Sequence, residues 1–358
     1  MIFCTLFNKL YLPQGIALYR SLERTAEGGF ILYVLCMDDL SAHALARLNF
    51  PHLRIIRLEE IEDDALRAAR ANRSIAEFCW TCTTPLLLHV LDLHPPGTVV
   101  TYVDADIRFF SDPSAILAEL GDRSIFIHEH DFAPEHIHYL PAGRFNVGAA
   151  AFRNDDEGRA CLERWKAQCL DDCAVDLAAG KCGDQHYLDE WPQLYSGLVI
   201  SKNPGVGRGP WNITKNHVEL DQGKVTVDGW PVVFYHYHGL RILRPRLAVT
   251  PVFMANGNYL LDPNIVRTIY RPYVSDLCLA LDDINRLGLP LEADFDALSG
   301  VYRWTLPQQF LLTLGGMIVP SECNYPATWM LYRLDAVGAK LRRIGQRLAQ
   351  RRKRDQHG

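Results

Sequence analysis

The feature that most constrains this chain is a series of short, unbroken apolar runs separated by helical patterns. Ile2–Phe7, Phe30–Cys36, Leu53–Leu58, Val99–Val103, Ser124–Ile127, Val147–Phe152, Leu198–Ser201 and Val232–Tyr237 are each bounded by turn-forming residues. A strand with one wet face alternates apolar and polar residues. Runs that stay apolar at successive positions suit strands covered on both faces by helices. Between the runs, Pro13 suits a first helical position, and Leu12, Ile16, Tyr19 and Leu22 recur at helical spacing. Asp155 or Asp156 suits the cap of a helix whose stripe is Leu162, Trp165, Cys169, Cys173 and Leu177. Strands alternating with helices predict an α/β fold.

With 358 residues the chain is long enough for roughly two domains. Beyond Arg244–Pro245 the strand signal fades and helical patterns take over at Asn264–Leu287, Asp294–Trp304 and from about Thr328. The expected division is an α/β domain at 1–245 and a mostly helical domain at 246–358. At 48% hydrophobic and 22% charged residues, a disordered or fibrous chain is excluded. The net charge of -5 hides an asymmetry, because residues 340–354 carry eight basic groups and no acid. An acidic body disfavours nucleic acid as a partner. Met1–Asn8 lacks the basic segment and cleavage site of a secretory signal and is expected to be a strand. Phe310–Val319 is ten residues long, against the ~20 that a bilayer helix needs. Ten cysteines are too few for a disulfide scaffold, so reduced thiols and a cytoplasmic location are expected.

Chemistry is concentrated where two of the apolar runs end. Val99–Val103 runs into Asp104-Ala105-Asp106, two carboxylates at the carboxyl end of a strand, where open α/β sheets bind ligands. Side chains two positions apart share a strand face, so both reach one cation if the strand continues. Hard oxygen ligands suit Mg²⁺ or Mn²⁺. Far along the chain, Val232–Tyr237 ends in His236 and His238, and an imidazole added to the carboxylates moves the preference towards Mn²⁺. Asn146-Val147-Gly148 opens a strand, and Gly183-Asp184-Gln185 opens a helix that Asp184 could simply cap. Gly205–Pro210 fits neither a dinucleotide fingerprint nor a P-loop and leads as a shaped loop into Trp211-Asn212.

Taken in order, the first strand, Tyr11, the Gly15 helix, Asp104-Ala105-Asp106, Asn146-x-Gly148, Asp184-Gln185 and His236-Tyr237-x-Gly239 resemble glycogenin-like glycosyltransferases of the GT-A fold, in a bacterial branch, over roughly residues 1–240. The resemblance implies a Rossmann-type, mixed, mostly parallel sheet flanked by helices. It also implies a retaining transferase that moves a sugar from a nucleotide sugar, a UDP-sugar above all, to a glycan, lipid-linked or protein acceptor. By the same resemblance Asp104, Asp106 and His236 hold Mn²⁺ or Mg²⁺, and Asp104 also faces the nucleotide. Tyr11 stacks on the base, with Thr5, Arg73, Gly239 and Arg241 joining the donor site. Asn146 and Asp184 hold the donor sugar, Gln185 lies near the anomeric carbon, and Asp184 and Gln185 form the catalytic pair. Trp211, Asn212 and His238 fall on the acceptor side. The family's Lys-Pro-Trp after the His-x-x-Gly unit is missing; Leu240–Pro245 stands there, with Arg241 or Arg244 in the place of the lysine.

Such a reaction needs a cation to stabilise charge on a departing diphosphate, and two acids this close are not the separated pair of a glycosidase. A D-x-D phosphatase is a rival reading, but it wants Thr or Val where Arg108 stands. A non-catalytic nucleotide-sugar-binding scaffold is the other. Cys79-Trp80-Thr81-Cys82 falls within a helical stripe with Ile75, Phe78 and Leu86, which favours core thiols over a redox pair. A zinc site at Cys169, Cys173, Cys182 and His186 is disfavoured because the first two lie on an apolar stripe. Leu334, Val337, Leu341, Ile344 and Leu348, interleaved with basic residues, form a basic amphipathic pattern that suits an anionic membrane surface on the cytoplasmic side and equally an ordinary packed terminal helix with a solvated cationic end.

Overall fold

A computed structural model describes residues 1–176, 180–243, 252–254, 259, 261–289 and 318–319. The chain divides into two compact units, Met1–His238 with Leu279–Leu291, and Gly239–Cys278 with Glu292–Gly358. Leu177, Arg244, the boundary expected at 245, the helix expected at Asp294–Trp304, the final helix and the basic tail lie outside the described residues.

In chain order the first unit contains β1 (Ile2–Phe7), α1 (Leu12–Thr25), β2 (Ile31–Cys36), α2 (Asp39–Leu48), β3 (Leu53–Arg57), α3 (Asp64–Asn72) and α4 (Ile75–Asp92). There follow β4 (Val99–Val103), β5 (Ile107–Phe109), α5 (Ser114–Leu120), β6 (Ile125–Glu129), β7 (Phe145–Arg153) and α6 (Asp156–Asp171). The rest comprises β8 (Val175–Asp176), β9 (Lys181–Cys182), α7 (Trp191–Leu194), β10 (Leu198–Ile200), β11 (Val218–Asp221), β12 (Lys224–Val227), β13 (Trp230–Pro231) and β14 (Phe234–His236). Seven strands form one sheet in the order β3-β2-β1-β4-β7-β6-β10. Its pairings are parallel except those of β7, which runs antiparallel to both β4 and β6. The expected α/β class and mixed, mostly parallel sheet are therefore found. The first seven apolar runs supply its strands. The eighth shrinks to β14 and leaves the sheet to pair with β5.

The two faces of β1 show why the runs are unbroken. Cys4 and Leu6 join a core that includes Phe78, Leu86 and Leu87 of α4 and Leu162 and Trp165 of α6. Phe7, on the alternate face, meets α1, where a Cβ added to Gly15 would lie 2.3 Å from its ring. Leu12, Ile16, Tyr19 and Leu22 are fully buried, so the predicted stripe of α1 is the buried one. Ser74 and Glu77 close a capping box at the start of α4. Asp155 caps α6 by accepting the Gly158 N–H at 2.8 Å. Trp165 and Trp191 meet edge to face at 5.2 Å beneath Phe152.

The strand order reverses between β1 and β4, which opens a crevice at their carboxyl ends. Because β7 runs the other way, its first residues arrive at that same edge. Beyond His238 the described residues include strands at Arg241–Leu243, Val252–Met254 and Ile318–Val319, which pair antiparallel, the last two within the stretch expected to be mostly helical. The helix expected at Asn264–Leu287 runs from Pro263 to Arg286 through a π-helical turn at Val266–Tyr270. Among the described residues no helix is long and apolar enough to cross a membrane.

Candidate functional site

Asp104 and Asp106 do not share a strand face. β4 ends at Val103 and the backbone turns over Asp104-Ala105-Asp106, with the Ile107 N–H donating to the Asp104 carbonyl at 3.2 Å, before it resumes as β5. The turn brings both acids together where an extended strand was expected to do so. On one side, the Asp104 N–H donates to the Gly148 carbonyl of β7 at 2.9 Å. On the other, the Tyr237 N–H donates to the Asp106 carbonyl at 2.9 Å, and Ile107 pairs with His236 across β5 and β14. That pairing delivers the histidine to the acids. His236 Nε2 lies 3.1 Å from Asp106 Oδ1 and 3.6 Å from Asp104 Oδ2. One ligand atom from each of the three residues lies within 4.8 Å of the others. Neighbouring ligands on an octahedral ion with bonds of ~2.1 Å sit ~3 Å apart, so this donor set fits one hard divalent cation.

Burial and mutual charge set the electrostatics. The side chains of Asp104, Asp106 and His236 retain 32%, 12% and 6% of their exposure. Burial raises the Asp104 carboxyl, and the charge of Asp106 adds to that, so it sits above the ordinary carboxylate range despite His236. Burial also pushes Asp106 up, but the charge and hydrogen bond of His236 outweigh it and hold Asp106 low. For His236 burial acts downward, and the charge and hydrogen bond of Asp106 prevail, holding the imidazole above its usual value. Two acids thus converge on one imidazole whose proton they favour, a place where a metal ion can replace a proton.

The surrounding residues divide by what their polar atoms do. Asn146 is buried beside His236; its Oδ1 accepts the Gly148 N–H at 2.9 Å and lies 3.3 Å from His236 Nδ1, while its Nδ2 faces His130 Nε2 at 3.1 Å. Asp184 does not cap the short helix that follows it. It is buried, and desolvation, followed by the neighbouring Cys173 and Asp104, holds its carboxyl well above the ordinary range. Gln185 donates to the Ala142 carbonyl at 2.9 Å and faces Cys182 Sγ at 3.2 Å. Trp211 packs edge-on against His236 at 5.3 Å and lies 6.0 Å from His238, which is exposed. Asn212 is fully buried and holds its own loop, bridging the carbonyls of His130 and Gly207 at 2.8 and 2.9 Å. Thr5 is buried in β1, and Tyr11, at the start of α1, is 43% exposed. The Arg73 guanidinium is directed at Thr81 and the Leu170 carbonyl, so no described contact brings it to the acids. Gly239 and Arg241 belong to the second unit.

No known family model matches the chain. The uncharacterized protein YfnF of Bacillus subtilis (strain 168) is 35% identical over 249 residues, which are 67% of this chain and 82% of YfnF. The chain belongs to the YfnF family. The uncharacterized protein YfnD of the same organism is 29% identical over 287 residues, 79% of this chain and 90% of YfnD. Among solved structures, the galactosyltransferase LgtC in complex with donor and acceptor sugar analogs has a TM-score of 0.43 at 16% identity, over 67% of this chain and 87% of that one. Mouse xyloside xylosyltransferase 1 has a TM-score of 0.42 at 12% identity, over 67% of this chain and 98% of that one. At that distance the likeness carries no chemistry, which rests on the site's own residues.

In this member of the YfnF family, sequence reasoning missed several supports of the site. Tyr102 donates its hydroxyl to Asp104 Oδ1 at 2.8 Å, a contact the two-residue spacing could have revealed. Arg208 is buried, bonds to Asp131 and Asn216, and offers its carbonyl to the His236 N–H at 2.8 Å. His130 had no sequence signal; burial pulls its pKa to about 3 and keeps the imidazole neutral. The cysteines follow expectation. Cys79 and Cys82 lie within α4, and burial pushes the Cys79 thiol up to about 11 and that of Cys82 higher still. Ile75, however, is 72% exposed and lies off the buried stripe. Among the described residues no metal cluster forms around Cys169, Cys173, Cys182 and His186.

Proposed function

We propose that this chain is a metal-dependent glycosyltransferase that moves a sugar from a nucleotide sugar, a UDP-sugar in the simplest case, to a glycan, lipid-linked or protein acceptor with retention. The observation that carries this reading is the convergence of Asp104, Asp106 and His236 beside the crevice where the strand order reverses. Mn²⁺ or Mg²⁺ bound there would supply Lewis-acid stabilisation of the charge on a departing diphosphate without a proton transfer. Asp106 and His236, the more enclosed ligands, would fix the site, and Asp104, the most open of the three, would also face the nucleotide. Tyr11 would present its exposed ring to the base. Asp184, buried and with its carboxyl pushed well above the ordinary range, would hydrogen-bond a sugar hydroxyl. Gln185, tethered through its Nε2, would turn its Oε1 to the reacting sugar.

The test is a binding and turnover screen of nucleotide sugars with Mn²⁺, with Mg²⁺ and with chelator. UDP-sugars should bind only with metal, and Asp106→Asn should abolish both binding and transfer. Full transfer in chelator overturns the proposal. So does phosphate release from simple phosphoesters, which would point to a phosphatase. Metal-dependent binding with neither transfer nor hydrolysis across acceptor classes would make the chain a binding protein.

A further inference from the structure

The Gly148 backbone N–H donates to Asn146 Oδ1 at 2.9 Å. A backbone N–H can only donate, so this contact fixes which end of the Asn146 amide is oxygen. The same oxygen lies 3.3 Å from His236 Nδ1. An amide oxygen can only accept, so Nδ1 carries a proton, and once a metal has displaced any proton on Nε2 the lone pair there faces Asp104 and Asp106. With the oxygen so fixed, Nδ2 at the other end of the amide faces the Nε2 of buried His130 at 3.1 Å and donates to it. Turning the amide over would set the NH₂ group against both the Gly148 N–H and His236, and the oxygen against His130. Gly148 keeps the arrangement tight: a Cβ there would lie 2.5 Å from His236 Nδ1 and 2.6 Å from Asn146 Oδ1.

From this we infer that Asn146, backed by His130 and packed against Gly148, is the positioning residue that sets the tautomer and ring orientation of His236 as a metal ligand. This is a task distinct from holding the donor sugar. Two donors already occupy its oxygen and His130 takes one amide hydrogen, which leaves a single N–H for any substrate. Partners behind a ligating histidine tune metal affinity by about 10- to 100-fold. The inference rests on the metal-site reading and is tested apart from it.

Mn²⁺ titrations of the full chain would compare wild type, Asn146→Ala and Asn146→Asp, with melting temperature in chelator reporting the fold. Asn146→Ala should bind Mn²⁺ about 10- to 100-fold more weakly. Asn146→Asp retains an oxygen for both the Gly148 and His236 donors and should stay close to wild type. In Mg²⁺-loaded protein labelled with ¹⁵N in its histidine rings, the His236 Nδ1 proton should be slow to exchange in wild type and in Asn146→Asp, and fast in Asn146→Ala. Equal affinities in all three proteins with an unchanged Nδ1 signal, or equal losses in both variants, overturn the assignment. A wild type that binds no Mn²⁺ sinks the metal-site reading and this inference with it.

Discussion

Gly148→Ala is the sharpest single test of how the site is packed. The added Cβ would lie 2.5 Å from His236 Nδ1 and 2.9 Å from Cε1, whereas unstrained contacts of this kind begin near ~3.5 Å. The ring would therefore have to retreat by about 1 Å. Its backbone cannot follow, since His236 is held by its pairing with Ile107 and by the Arg208 carbonyl. The movement must come from side-chain rotation, which carries Nε2 away from two carboxylates now 3.1 and 3.6 Å distant. Gly148 does not use a left-handed backbone conformation, so alanine meets only a steric obstacle. Overpacking costs about 1–3 kcal/mol, and relieving a strand glycine returns roughly 0.5–1 kcal/mol, so melting in chelator should fall by only a few degrees. Mn²⁺ affinity, measured by calorimetric titration, should fall by at least ~10-fold, the lower end of what disturbing a ligand's support costs. A folded Gly148→Ala protein that binds Mn²⁺ within about twofold of wild type would refute the reasoning.

Three further outcomes follow from other parts of the structure. His236 is held above its ordinary pKa of 6.5, so below that raised value each bound metal must displace a proton. Mn²⁺ affinity should therefore fall about tenfold per pH unit on the acid side and level off above, with proton release visible as a buffer-dependent binding enthalpy; a flat profile between pH 5 and 8 would contradict this. Trp165→Ala removes a fully buried ring that packs on Trp191 and donates to the Asp184 carbonyl at 3.0 Å, so chemical denaturation should show a loss of about 3–5 kcal/mol. Cys79 and Cys82 should resist thiol reagents in the native protein and react fully on unfolding, and rapid native labelling of either would revive a redox role.

What the sequence revealed and what it concealed have one physical cause. Burial on both faces leaves a continuous local pattern, which is why Ile2–Phe7 or Val99–Val103 could be recognised without a partner in view. Pairing leaves no such trace. β5 is three residues long and exists because β14, whose Phe234 pairs with its Phe109, lies alongside it, so nothing near Asp106 announced the turn that replaces the shared strand face. The reversed direction of β7, which carries Asn146 to the edge where Asp104 and Asp106 lie, is likewise a property of the sheet and not of its residues. Asp104, Asp106 and His236 stood out because each breaks the local rule by placing a charge or an imidazole at the end of an apolar run. Their supports break no rule. Gly148 passes for a permissive residue at the start of a strand and His130 for an ordinary buried ring, yet the position of Nε2 depends on both through Asn146. Ligands are therefore legible one residue at a time. The tautomer proposed for His236 as a ligand would be set by contacts between strands, and perturbing Gly148 or Asn146 probes that layer directly.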